Sequence, residues 1–159
     1  MERIGVILIR ESVTITDPCL NPRDWRGAVM NIPPGQWFCE AELVGDVFVK
    51  TLRISKPGYE SRFIPSEKYC SVEVVSGQCG FFDTEYYEER RGGERGDSWY
   101  KSVCEICQTE RCGLTQDSLG VVSASGYGRG DFCRGIYPVY IGRDPRHYSD
   151  IVTIEIRFS

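Results

Sequence analysis

This 159-residue sequence lacks the features that define several large classes of protein. No apolar run is long enough to span a bilayer, and the N-terminal segment has no small-residue cleavage site. The formal net charge of −4 argues against a partner such as a nucleic-acid duplex, which needs a basic surface. We therefore expect a cytoplasmic protein with no membrane partner, folded as a single β-rich domain over residues 1–159.

Histidine is almost absent, which restricts the catalytic chemistry that the chain can support. The only histidine is His147, so a Ser-His or Cys-His system would have to use it. It lies in a polar turn before the last predicted strand, where an exposed loop histidine is the simpler interpretation. A hydrolase that uses His147 or Asp83 stays open as an alternative, but the sequence identifies no catalytic residue.

The eight cysteines do not form a complete metal motif. Cys104, Cys107 and Cys112, with Cys79 elsewhere, resemble half of a zinc site, but the second CxxC pair is missing. Without a signal peptide the compartment is expected to be reducing, and free cysteine is commonly buried. We rank reduced core thiols first, a metal site second and disulfides third, and we expect neither a metal nor a cofactor.

Alternating apolar and polar residues predict that strands dominate the fold. Trp37, Cys39 and Ala41 share one face of a strand that follows a Pro-Pro-Gly turn, with glutamates on the other face. The last segment, 151–158, alternates more regularly: Val152, Ile154, Ile156 and Phe158 are predicted to face inward, and Thr153, Glu155 and Arg157 outward. The pattern predicts an antiparallel β-sandwich or a partly open barrel.

One segment has the apolar spacing of a helix, at about 97–112. In such a helix Cys104 and Cys107 share the buried face with Tyr100. The preceding residues, 88–97, are polar and rich in glycine, and they predict a solvated loop. We therefore expect one short helix in an otherwise all-β protein.

The most informative stretch is 120–142, where two apolar runs flank a segment rich in Gly, Ser, Tyr and Arg. Successive backbone N–H groups of a Gly-rich turn can bind an anion, arginine adds charge-assisted hydrogen bonds, and aromatic rings can stack on a flat ligand. Neither a P-loop nor a dinucleotide fingerprint is present. The predicted ligand-binding residues are Ser123, Ser125, Gly126, Tyr127, Gly128, Arg129, Phe132, Arg134 and Tyr137.

Two readings of this Gly-rich stretch remain open. It predicts a non-catalytic protein that binds a small anionic ligand, with a nucleotide-like signalling molecule as the concrete version. Glycine also provides curvature at a β-bulge or barrel corner, which would leave a protein-interaction module with no small-molecule ligand. A homo-oligomer is compatible with either reading.

Several motifs, in order along the chain, resemble one protein family. These are Thr16-Asp17-Pro18-Cys19, Pro34–Trp37, the SGQCGFFD sequence at 76–83 and the GVVSASGYG sequence at 120–128. They are similar to the bacterial and phage proteins grouped as the DUF4241-like family, whose function is unknown. The resemblance implies a compact, β-rich cytosolic protein, and the phage membership suggests a protein that sequesters a signalling nucleotide in an anti-defence role.

The sequence departs from the family pattern within the Gly-rich stretch. Arg129 stands where the family motif GYGDG has an acidic residue, and residues 131–135 form an insertion. If the family aspartate binds a cation, the change reverses the charge of the site. The resemblance therefore implies an anion rather than a cation for this chain.

Overall fold

The computed structural model describes residues 1–22, 27–45, 48–60, 64–125 and 134–158. Within these ranges the chain forms two helices and eleven strands. In chain order they are β1 (Glu2–Ile9), β2 (Ser12–Thr16), β3 (Ala28–Asn31), β4 (Gly35–Val44), β5 (Phe48–Ser55), β6 (Glu67–Val74), β7 (Gln78–Asp83), α1 (Thr84–Arg90), α2 (Gly96–Glu110), β8 (Cys112–Leu114), β9 (Gly120–Ala124), β10 (Gly135–Arg143) and β11 (Ile151–Arg157).

The strands form two antiparallel sheets that pack face to face. Sheet A has the strand order β1-β4-β5-β11-β10-β6, and sheet B has the order β3-β2-β7-β9-β8. The main apolar core lies between them and includes Trp37, Leu52, Phe81 and Ile154, none of which is exposed. The described residues form no closed barrel, so of the two predicted architectures the chain adopts the β-sandwich.

The inward faces predicted from alternation are confirmed. Trp37, Cys39 and Ala41 of β4 are fully buried, and so are the four apolar residues at 152, 154, 156 and 158. Val139 and Ile141 of the neighbouring strand β10 are buried in the same layer. Alternation predicts these positions because successive side chains of a strand point to opposite faces.

The prediction that the outward-facing residues Thr153 and Glu155 of β11 are exposed is wrong, and Glu40 of β4 is also buried. Glu40 is 3% exposed, Glu155 is 3% exposed, and Thr153 is not exposed at all. Part of the cover comes from the chain between β5 and β6, where the carbonyl oxygen of Pro65 accepts a hydrogen bond from Arg157. The outer face of sheet A is therefore buried locally, around Glu40, Thr153 and Glu155.

Both helices cover the outer face of sheet B and form a third layer. The predicted helix corresponds to α2, whose Val103 and Cys107 pack with Phe82 and Val122 of the sheet. Helix α1 was not predicted: it replaces part of the expected loop at 88–97. Its N-cap is Asp83, whose side chain accepts a hydrogen bond from the backbone N–H of Tyr86.

Neither helix in the described part of the chain is long and apolar enough to cross a membrane.

Candidate functional site

Three of the sequence motifs meet at one end of sheet B, which we call the motif end. Strand β2 finishes in Asp17-Pro18-Cys19, the turn at Ser76-Gly77 leads into β7, and β9 finishes at Ala124. Gln78 pairs with Ala124 across the sheet, and the Ser125 N–H donates to the carbonyl of Gly77. Segments more than 100 residues apart in sequence therefore meet where the Gly-rich stretch begins.

Asp17 holds this end together. Its carboxylate is fully buried and accepts four hydrogen bonds: from the backbone N–H groups of Cys19, Val75 and Ser76, and from the Ser76 hydroxyl, at 2.6–2.9 Å. Gly77, the next residue, has φ of +79°, a conformation that glycine adopts at little cost. The turn therefore accounts for both residues, because Asp17 accepts the hydrogen bonds of its backbone N–H groups and Gly77 adopts the positive φ.

Gln78 is the polar residue at the motif end that its neighbours do not satisfy. Its side chain faces α2, and its Nε2 lies 3.3 Å from the Cys104 Sγ and 3.4 Å from the Ser76 Oγ. The Ser76 hydroxyl donates to Asp17, so its remaining lone pairs accept from Nε2 and fix the orientation of the amide. Gln78 Oε1 is then left buried with no hydrogen-bond partner.

A buried carbonyl oxygen without a donor is costly and needs an explanation. Gln78 is 8% exposed, and its Oε1 is the one buried side-chain nitrogen or oxygen atom of the described residues that lacks a partner. The oxygen can accept from an N–H or O–H group of a bound molecule. This makes the motif end the place in the described fold where a ligand would complete an unfinished hydrogen-bond network.

The predicted ligand-binding residues fall into three groups. Gly126, Tyr127, Gly128, Arg129 and Phe132 lie outside the described residues. Ser123 and Ser125 are fully buried, and the Ser123 hydroxyl donates to the carbonyl of Ala124 at 2.6 Å. Arg134 is exposed, and Tyr137 packs edge-on against Phe158 with ring centroids 5.3 Å apart.

Arg134 is brought to the motif end by the pairing of β10 with β6. Gly135 pairs with Val74, so Arg134 lies at the level of Val75, whose N–H donates to Asp17. Gln78 follows Val75 by three positions, which limits the Cα separation of these two residues to about 11 Å. Arg134 therefore lies beside the end of β6, from which Ser76 and Gly77 lead to Gln78.

Three of the seven cysteines that the structure describes have the character of core thiols. Cys39, Cys79 and Cys107 are buried, and burial raises the pKa of each thiol. Cys104, at the motif end, is half-buried. Among the described residues no group of three His, Cys, Asp or Glu side chains is placed to hold a metal ion. Cys79, Cys104, Cys107 and Cys112 thus form no such group.

Cys19 is expected to react slowly with alkylating reagents despite its partial exposure. Burial, and then the Asp17 carboxylate, raises its pKa to about 12, so the thiolate fraction near neutral pH is small. At pH 8 we expect iodoacetamide to modify Cys19 roughly a thousandfold more slowly than the same cysteine in the unfolded chain. Time-resolved peptide mass spectrometry in buffer and in 8 M urea measures both rates. Equal rates would contradict the assigned environment.

The two residues named for a hydrolase have no geometric support as a catalytic pair. The Asp83 carboxylate accepts from the Arg10 backbone N–H and from its guanidinium, and it also caps α1. His147 is exposed in the connection between β10 and β11 of sheet A, where its backbone forms two turn hydrogen bonds. Asp83 has a structural role, and His147 lies on the other sheet.

Gln78 was not singled out by the sequence analysis. The motif SGQC was noted, but a glutamine next to glycine gives no periodic or chemical signal of its own. The signal becomes visible only when Asp17, Ser76 and Cys104 are brought together around it.

Comparison of the chain with protein-family models, with curated proteins and with solved structures finds no match.

Proposed function

We propose that this protein is a non-catalytic binding protein for a small anionic, nucleotide-like molecule, and that the ligand binds at the motif end. The observation that carries the proposal is the buried, unpartnered Oε1 of Gln78 beside the start of the Gly-rich stretch. A role in sequestering a signalling nucleotide follows from the family resemblance and is part of the same proposal.

A nucleotide supplies both chemical groups that this end requires. Amino and imino N–H groups of a base can donate to Gln78 Oε1, which an anion's oxygen atoms cannot do. The phosphate is assigned to Arg134, with Arg129 as the second cation predicted from sequence. Ser123 and Tyr137 are assigned to positioning the two ends of the Gly-rich stretch, since Ser123 is buried and Tyr137 packs on Phe158.

Native mass spectrometry of protein purified gently from a bacterial host is the first test. An added mass of a few hundred daltons that disappears on denaturation supports the proposal and indicates the ligand class. Calorimetric titration with a panel of mononucleotides and cyclic dinucleotides follows, with inorganic phosphate as the comparison. The absence of any bound mass, together with no binding across the panel, contradicts the proposal.

Replacing Gln78 with leucine should abolish ligand binding without reducing stability. Replacing a fully satisfied polar residue would lower the stability of the protein. This change loses two long Nε2 contacts, at 3.3 and 3.4 Å, but it removes an unsatisfied oxygen and adds apolar burial. We expect a melting temperature equal to or above that of the wild type and at least a tenfold weaker affinity for the nucleotide identified above. Gln108→Leu, at an exposed position of α2, is the matched control. A melting temperature several degrees lower would show that Gln78 is structural.

Arg134→Ala tests the phosphate contact. Affinity should fall about tenfold, and the salt dependence of binding should weaken, because one charge-assisted contact is lost. Arg146→Ala removes an exposed arginine from the β10–β11 connection and should leave affinity unchanged. Equal affinity of wild type and Arg134→Ala would remove Arg134 from the site.

A protein-interaction module is the second candidate, favoured by exposed apolar residues on sheet A. Ile136 of β10 is 73% exposed and Tyr69 of the edge strand β6 is 49% exposed. For self-association through this edge we expect a concentration-dependent mass in size-exclusion chromatography with light scattering. A monomer at every concentration would contradict the homo-oligomer.

A further inference from the structure

A second cleft lies on the side of α2 away from the motif end. It is bounded by α1, α2 and the connection between β8 and β9, and its volume is about 380 Å³. We call it the helix cleft. Its size is within the range of cavities that bind small molecules. Of the residues predicted for the Gly-rich site, the four that the structure describes (Ser123, Ser125, Arg134 and Tyr137) do not contribute to its lining.

The helix cleft has an apolar floor and an aromatic wall. Val103, which is 1% exposed, and the half-buried Ile106 and Leu114 lie at its base. Tyr86 and Trp99 form the wall, with their rings edge to face at 6.0 Å and the Trp99 Nε1 donating to the Tyr86 hydroxyl at 2.9 Å. The indole N–H is satisfied within the wall, and because Tyr86 is only 3% exposed, the aromatic surface open to a ligand is mainly that of Trp99.

The rim of the helix cleft is acidic. Three carboxylates, those of Glu105, Glu110 and Asp117, line it together with a single basic residue, Arg90. Arg90 is paired with Asp117 at 2.9 Å, which leaves the two glutamates to set the charge of the opening. Aromatic faces also attract cations through their quadrupole. The charge of the rim and the chemistry of the wall thus favour the same kind of ligand.

The C-terminal end of α2 adds to this preference. Helix carbonyl groups at a C-terminus carry partial negative charge, and the last turn of α2 contains no basic residue. Thr109 and Glu110 of that turn line the cleft, whereas Arg111, which ends the helix, does not. The helix dipole, the rim and the wall all favour positive charge.

We propose that the helix cleft binds a small organic cation with a flat or apolar body, of the arylalkylammonium class. The body lies on Val103 and against Trp99, and the ammonium group is placed between Glu105 and Glu110. This site takes a ligand of opposite charge to that of the motif end, and it does not depend on the function proposed for that end.

Nuclear magnetic resonance with phenethylammonium as the probe tests the proposal directly. The Trp99 indole N–H lies in the wall, so its resonance in a ¹H–¹⁵N spectrum should shift in a saturable way as the probe is added. Phenylacetate has the same ring with a carboxylate and should cause no saturable shift. Binding of both compounds with equal affinity, or shifts confined to residues outside the cleft, would overturn the proposal.

Two variants test separately the contributions of the rim carboxylates and of the open space in the helix cleft to ligand binding. Glu105→Gln with Glu110→Gln keeps the size of the rim and should weaken phenethylammonium binding about five- to tenfold. Ser102→Phe fills the opening while the carboxylates remain, and it should abolish the Trp99 shift. Glu88→Gln, at an exposed position of α1 outside the cleft, is the control that should bind as wild type does. Wild-type affinity in the double glutamine variant would exclude the ammonium site.

Discussion

Replacing Asp17 with alanine is expected to lower the free energy of unfolding by about 4 kcal/mol. The carboxylate accepts hydrogen bonds from three backbone N–H groups and one hydroxyl, and no part of the residue is exposed. Its removal leaves these donors without partners in a buried turn. Equilibrium urea unfolding followed by circular dichroism measures the loss.

A second aspartate variant and a control make this result specific. Asp17→Asn keeps one acceptor oxygen and should lose about half as much stability as Asp17→Ala. Asp97, at the start of α2, has a fully exposed side chain paired with Arg91 at 3.2 Å, and Asp97→Ala should change the free energy by less than about 0.5 kcal/mol. Similar losses for Asp17→Ala and Asp97→Ala would contradict the role given to Asp17.

Replacing Glu155 with alanine is expected to lower the free energy of unfolding by about 3 kcal/mol. Glu155 Oε1 accepts from Arg53 Nε and Nη2 at 3.0 and 2.5 Å, and Oε2 accepts from Arg157 Nε at 2.6 Å. The Arg53 and Glu155 side chains are 7% and 4% exposed, so the variant leaves a buried guanidinium with a lost partner. Removing one partner of a buried ion pair lowers the free energy of unfolding strongly, because the other charge stays buried. Replacing both partners with apolar residues has a much smaller effect.

Another glutamate on sheet A is a close control for Glu155. Glu42 of β4 pairs with Lys50 of β5 at 3.5 Å, with both side chains more than 40% exposed. Glu42→Ala should therefore cost less than about 1 kcal/mol, and added salt should reduce that cost further. If the two variants lost equal stability, burial would not be the factor that decides the strength of these ion pairs.

Several residues that carry the family resemblance have structural roles in this fold. Asp17 fixes a turn, and Asp83 caps α1 while it binds Arg10. Gly80 allows close strand approach, because a Cβ there would lie 2.3 Å from the carbonyl oxygen of Val121. Membership of the DUF4241-like family stays a prediction. Of the motif side chains that the structure describes, Gln78 is the one with a buried polar atom that the fold leaves unsatisfied.

Alternation and helical spacing were sufficient to predict the inward faces of β4 and β11 and the position of helix α2. Residues such as Trp37 and Ile154 are core residues in any fold that buries one face of their strand, because side-chain direction alternates along a strand. Helix α1 was not predictable in this way, because only two of its seven side chains are buried. Its N-cap, Asp83, is also the last residue of strand β7.

The sequence alone determined which faces of the strands are apolar, where the long helix lies and which glycine-rich motifs stand out. Tertiary structure alone decided that Glu40 and Glu155 are buried, because their burial depends on chain segments distant in sequence that cover sheet A. It also decided that Gln78 has an unpartnered oxygen, since hydrogen-bond satisfaction depends on every neighbour in space. The local sequence pattern indicates which face of a strand or helix a side chain occupies. Only the folded chain determines which residues surround that side chain.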